Sequence, residues 1–174
     1  MAGLGVVVKI NTLVTNIDNG LISIEHQNET EKIRAKTVLW AAGMKASPLG
    51  EMLAQQTGAE LDKAGRVVVE PSLTIAGHPN IFVIGDLAHF ANEDGEPLPG
   101  IAPVAMQEGQ HVARLIKRRL QGKELLPFRY VDKGSMAVIG RNAAVAQVGR
   151  LKLNGFPAWF LWVFIHIWYL IGFD

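Results

Sequence analysis

His78-Pro-Asn-Ile-Phe-Val-Ile-Gly-Asp-Leu-Ala88 decides the fold of this chain. Residues 81–84 form a short, wholly apolar run, which reads as a strand buried on both faces, as in a parallel sheet. The run stops at Gly85-Asp86, placing a carboxylate at the carboxyl edge of a sheet, where open α/β folds bind ligands. Gly85 lets the backbone approach a ligand closely, and Asp86 is suited to accept a hydrogen bond from a sugar-alcohol hydroxyl. Gly-Asp is also a common turn, so its meaning comes from its surroundings.

Upstream, residues 66–70 read as a strand stopped by Pro71, and residues 37–41 as an apolar strand running into Ala42-Gly43. Between them, residues 48–56 predict a helix with Ser47 as N-cap, Pro48 at the first position and Gly58 closing it. The short β-branched runs 6–10, 13–17, 21–25 and 33–40 predict a small antiparallel meander, with Asp18-Asn19-Gly20 as a hairpin turn. Downstream, the polar loop 92–100 leads into a helix over 103–121. Pro103 suits its first position, and Arg114, Lys117, Arg118 and Arg119 crowd its last turns, where cations complement the helix dipole. Residues 125–131 read as extended, and 135–139 with 143–148 as a hairpin through Gly140-Arg141-Asn142. The fold class is α/β, the later part of a doubly wound nucleotide-binding fold.

Composition narrows the function. The chain has 174 residues, a net charge of +1 and no cysteine. Such a charge balance gives no footprint for nucleic acid. The lack of cysteine excludes disulfides, thiolate catalysis and Cys-ligated metal within these residues. His26, His78, His89 and His111 are dispersed without metal-site spacing, so no metal site is expected.

Four stretches carry a specific resemblance: Val38-Leu-Trp-Ala-Ala-Gly43, Asn80 through Ala88, Ala102-Pro-Val-Ala-Met-Gln-Glu-Gly109, and Tyr130-Val-Asp-Lys-Gly-Ser-Met-Ala-Val-Ile-Gly140. In that order they resemble type II NADH dehydrogenase, the single-subunit NADH:quinone oxidoreductase of the two-dinucleotide-binding-domain flavoproteins. The resemblance implies a partial FAD/NAD(P)-binding Rossmann-like fold. Residues 1–46 would be the tail of the NADH-binding domain, 47–125 the later half of the FAD-binding domain, and 126–174 a membrane-association region. It implies FAD as cofactor, NADH as electron donor and quinone as acceptor. Gly85 and Asp86 would hold the ribityl chain, Pro103 and Val104 would touch the isoalloxazine through their backbone, and Lys133 would contact the flavin. Gln107 and Met136 would border the quinone pocket. A helix N-terminus carries about half a positive charge, which would favour the negative charge of a reduced flavin. The family pattern reads Ala-Gln-x-Ala-x-Gln, and Pro103 replaces its first Gln, which puts that residue's role toward quinone in doubt. The strand–Gly-x-Gly-x-x-Gly–helix units that cradle dinucleotide phosphates are also missing. The chain is therefore expected to be a piece of a longer protein, inactive by itself.

Residues 156–173 hold eight of the thirteen aromatics and no formal charge. As a helix they would place Trp159, Trp162, His166, Tyr169 and Phe173 on one face, polar tips toward a headgroup layer. The expectation is an interfacial anchor on the cytoplasmic side of a bacterial-type or organellar membrane, with Arg141, Arg150 and Lys152 near anionic lipid. A truncated transmembrane helix and a helix buried in a homodimer remain open. The functional alternative is a non-catalytic membrane-binding or oligomerisation module. Sulfide:quinone reductases also resemble the family, yet they use a cysteine in this half.

Overall fold

The computed structural model describes residues 5–43, 45–91, 95–124 and 126–171, in two compact units divided after residue 44. In the first unit, β1 (Thr12–Asp18), β2 (Leu21–His26) and β3 (Glu29–Arg34) form an antiparallel meander. Two-residue turns set it. Asn19, Gly20, Gln27 and Asn28 all have positive φ, the turn geometry that matches right-handed strand twist. The register places Ile22 opposite both Ile17 and Ile33, and Ile24 is buried.

Two sequence expectations fail here. The third strand forms at Glu29–Arg34 rather than 33–40, because the turn at Gln27-Asn28 fixes its pairing whatever its polarity. Residues 6–10 and 37–41 join no ladder, and Val7 and Leu39 are 82% and 90% exposed. A strand is a paired object: apolar side chains alone do not supply the neighbouring N–H and C=O groups it needs.

In the second unit, α1 (Leu49–Thr57) opens after Pro48, with the Ser47 hydroxyl accepting the Leu49 N–H at 3.3 Å, and ends at Gly58 with φ +73. Pro48 is thus the flanking residue rather than the first helical one. β4 (Val67–Val68) pairs in parallel with β7 (Ala88–His89), while β5 (Thr74–Ile75) pairs antiparallel with β6 (His78–Phe82). The strand expected at 66–70 shrinks to Val67–Val68, and the one expected at 81–84 as a parallel strand buried on both faces forms instead at His78–Phe82, antiparallel to β5 and only partly buried, with Ile84 39% exposed. Val67, Ile75, Val83 and Ala88 nonetheless form a buried cluster against Leu53, Leu61 and Leu87.

After α2 (Ala102–Leu120), the chain crosses residues 126–134 and enters β8 (Ser135–Gly140), β9 (Ala143–Val148) and β10 (Leu151–Asn154), an antiparallel sheet of order β10-β9-β8. The extended segment expected at 125–131 forms no ladder, and residue 125 and loop residues 92–94 lie outside the described residues. The hairpin expected at 135–148 is present; β10 is additional. α3 (Gly155–Ile171) packs on this sheet through Ala144, Ala146 and Ala158, whose small side chains let the helix come close. Among the described residues, no helix is long and apolar enough to cross a membrane.

The burial of α3 reverses part of the expected orientation. Trp159 and Trp162 are half-buried, Trp159 packing on the alanine cluster. The wholly apolar side carries the exposure: Phe156, Phe160 and Phe164 are 59%, 62% and 57% exposed. Phe173 lies outside the described residues.

Gly134 joins residues 126–134 to β8 under severe constraint. Its φ is +96, and an added Cβ would sit 2.3 Å from the Gln147 carbonyl oxygen. Gly134→Ala is therefore expected to destabilise the β8–β9–β10 sheet by about 2 kcal/mol or more. Chemical unfolding monitored by tryptophan fluorescence checks this, and an unshifted midpoint would count against it.

Candidate functional site

The turn after β6 is shaped by its own backbone. The Val83 N–H donates to the Leu73 carbonyl at 2.9 Å. Gly85 then takes φ +68 and opens a 3₁₀ turn, Gly85–Leu87, that delivers the chain to β7. This turn packs against the first turns of α2: a Cβ on Gly85 would meet the Ala105 Cβ at 3.6 Å. Asp86 is exposed. The structure thus brings Gly85, Asp86 and the start of α2 together at one edge of the unit.

α2 is held at two points, to the Gly85 turn and to β6. Near its beginning, Glu108 accepts the Gly85 N–H on Oε2 at 2.6 Å and is 1% exposed. Near its end, Arg119 donates to the Asn80 side chain at 3.1 Å and the Pro79 carbonyl at 2.9 Å, its guanidinium 5.5 Å from the Phe82 ring centroid. The buried stripe of α2 is Val104, Glu108, His111 and Leu115, four positions at helical spacing. Burial lowers the His111 pKa, Arg114 adds to that, and only the bond to Leu126 opposes it. The ring is therefore neutral, with its Nε2–H donating to the Leu126 carbonyl at 3.1 Å. His111 and Phe90 both meet the Phe128 ring edge-on.

The first turn of α2 differs from expectation in detail. Ala102 is the first helical residue and Pro103 the second. The Val104 N–H donates to the Ile101 carbonyl at 3.0 Å and its side chain is buried. The Ala102 N–H is the amide of this turn without a partner among the described residues.

Gln107 is engaged rather than open. Its Nε2 donates to the Val131 carbonyl at 3.0 Å, and its Oε1 accepts the Val131 N–H at 3.1 Å. This two-point contact holds residues 126–134 against α2. Lys133 is exposed on that segment, beyond Tyr130, whose hydroxyl is buried without a partner among the described residues. Burial raises the Tyr130 pKa, and Asp132 adds to the shift. Met136 packs toward the alanine cluster beneath α3, a different neighbourhood from that of Gly85.

Asp62 braces the other side of the turn. Its Oδ1 accepts the N–H groups of Ala64 and Arg66 at 2.9 Å each. Its Oδ2 takes Arg66 Nε at 2.6 Å and His89 Nδ1 at 2.9 Å. Since the carboxylate only accepts, Nδ1 of His89 carries the proton. Burial works to raise the Asp62 pKa, but the bonds from His89, Arg66 and Ala64 overcome it and hold the carboxyl far below the usual range. A depressed folded pKa means the stabilisation is complete above the unfolded value of about 4 and fades as pH falls below it. Asp62→Asn should cost about 2 kcal/mol at neutral pH and flatten the stability loss below about pH 4. Unfolding midpoints across the acid range check this; equal slopes for both proteins would refute it.

The contacts of Glu108 and Arg119 and the Asp62–His89 pair escape a reading of the sequence alone. Glu108 had a usable signal: it falls in register with Val104, His111 and Leu115 on the apolar stripe.

The family model for pyridine nucleotide-disulphide oxidoreductase matches residues 1–109. The chain is similar to the type II NADH:quinone oxidoreductase Ndh of Mycobacterium tuberculosis, 44% identical over 174 residues, covering 98% of this chain and 36% of that protein. The type II NADH:quinone oxidoreductase of Staphylococcus haemolyticus is 37% identical over 158 residues, covering 90% of this chain and 38% of that protein. This chain spans about a third of the length of these relatives. Among solved structures, NDH2 from Plasmodium falciparum in complex with NADH superposes with a TM-score of 0.77 at 18% identity, over 92% of this chain and 47% of that one.

Proposed function

Since the chain belongs to the pyridine nucleotide-disulphide oxidoreductase family, we propose that it forms the flavin-side and membrane-facing part of a type II NADH:quinone oxidoreductase. The observation that carries this reading is the packing of the Gly85–Leu87 turn, with Asp86 exposed on it, against the first turns of α2. The residues fit a flavin. Asp86 offers an acceptor for a ribityl hydroxyl, Gly85 leaves no side chain in the way, and Ala102 at the positive end of α2 retains an amide donor. When bound, FAD supplies the redox chemistry, taking electrons from NADH and giving them to quinone.

The chain's own residues orient and tune. Asp86 would fix the sugar-alcohol chain, and the start of α2, with Pro103 and Val104 shaping its first turn, would face negative charge. Lys133, carried by the segment that Gln107 holds, would add a cation. The buried Tyr130 hydroxyl supports a ligand acceptor near that segment, since an unpaired buried hydroxyl costs about 1–3 kcal/mol. Met136 would border the quinone side from beneath α3. In this reading residues 1–46 close the NADH domain, 47–125 the FAD domain, and 126–174 meet the lipid surface, on the cytoplasmic side as a peripheral protein. The exposed Phe156, Phe160 and Phe164 supply the apolar face for that contact.

The test is a graft. Replacing the matched segment of the Mycobacterium tuberculosis relative by this chain should give a yellow enzyme that oxidises NADH in the presence of quinone. A folded but colourless graft would refute the proposal.

A further inference from the structure

Glu108 is the buried acid that a stability argument alone does not require. It sits on the apolar stripe of α2 between Val104 and His111 and is 1% exposed. At such a position a hydrophobic residue of similar volume is commonly as stabilising as a buried charge, or more so. A leucine there could not hold an amide, and Glu108 does: its Oε2 accepts the Gly85 N–H at 2.6 Å. Gly85 is the left-handed residue from which the turn springs, and Asp86, the next residue, is exposed. The carboxylate inside the protein thus fixes the peptide that aims the carboxylate outside it.

We infer that Glu108 is a positioning residue of the flavin site, gripping the Gly85 amide so that Asp86 is held ready for a ribityl hydroxyl. The inference rests on the flavin reading above. The electrostatics agrees with the geometry. Burial pushes the Glu108 carboxyl above its usual range, the Gly85 N–H pulls it back, and the charge of Asp86 adds to the push. Two acids are tolerated so close because one is gripped by an amide and the other is open to water.

Hydrogen exchange on the chain as it stands reads the grip with no flavin present. Glu108→Leu should speed exchange at Gly85 by about tenfold or more, while Val69, half-buried against the core with its N–H donating to the His89 carbonyl at 3.1 Å, stays protected. Glu108→Gln keeps an acceptor oxygen in the same volume and should restore slow exchange. In the grafted enzyme, Glu108→Leu should lose flavin as Asp86→Ala does, the double variant should lose no more than either, and Glu108→Gln should recover most of it.

Unchanged Gly85 exchange in Glu108→Leu overturns the grip. Faster Gly85 exchange with full flavin retention, while Asp86→Ala is depleted, overturns the positioning role and leaves the flavin reading intact. Full retention by Asp86→Ala sinks the flavin reading, and the inference with it. Faster exchange throughout the second unit, without rescue by glutamine, marks Glu108 as a general strut and overturns the proposal.

Discussion

Asp86→Ala should strip flavin from the grafted enzyme while leaving its fold intact. The residue is exposed on a turn whose shape is set by Gly85 and Glu108 rather than by its own side chain. Removing it should therefore cost little in stability. A hydrogen bond to a charged acceptor contributes about 1.5–3 kcal/mol, so flavin affinity should fall by about ten- to a hundredfold. Flavin absorbance relative to protein after gel filtration measures the loss, and Asp86→Asn should fall between the two. Undiminished absorbance in the alanine variant, with unchanged unfolding behaviour, would remove Asp86 from the site.

Lipid contact should be even more sensitive. Phe160 and Phe164 lie one turn apart on the exposed side of α3, each more than half exposed. Burying a phenylalanine contributes about 1.5–3 kcal/mol, and a carboxylate in its place opposes insertion. Phe160→Glu with Phe164→Glu should weaken binding to phospholipid vesicles by a factor on the order of a hundred or more. Substituting Trp159 should act differently, by loosening the alanine cluster beneath it. Co-sedimentation separates the two effects. If the double glutamate variant still sediments with vesicles, α3 is not what holds the protein there.

The contrast between these faces shows what the amino-acid order reveals. Elements that satisfy themselves were legible: α1 and α2 by their end signals, α3 by the spacing of its aromatics, the β1–β2 hairpin by Asn19-Gly20, the β8–β9 hairpin by Gly140-Arg141-Asn142. Elements that depend on a partner were not. Residues 6–10 and 37–41 have every strand preference and no ladder, whereas Glu29–Arg34 is a poor strand by composition and forms one because a turn presents it to β2. β10, four residues long, was too short to announce itself.

The site divides in the same way. The Gly85-Asp86 turn could be read from its sequence, and the helix opening near Pro103 from its proline. Their contact could not, because the group that joins them is a glutamate, a residue type that usually faces water. The left-handed start at Gly85 explains the residue type: φ +68 suits glycine, whereas an added Cβ would make only ordinary contact with Ala105 at 3.6 Å.

The clasp between Gln107 and Val131 bears on how any substitution at position 107 would be interpreted. The amide both gives and receives, so Gln107→Glu keeps the outline but sets a carboxylate oxygen against the Val131 carbonyl. The strap carrying Lys133 would then drift from α2, so the substitution would act on the placement of residues 126–134 rather than only at position 107.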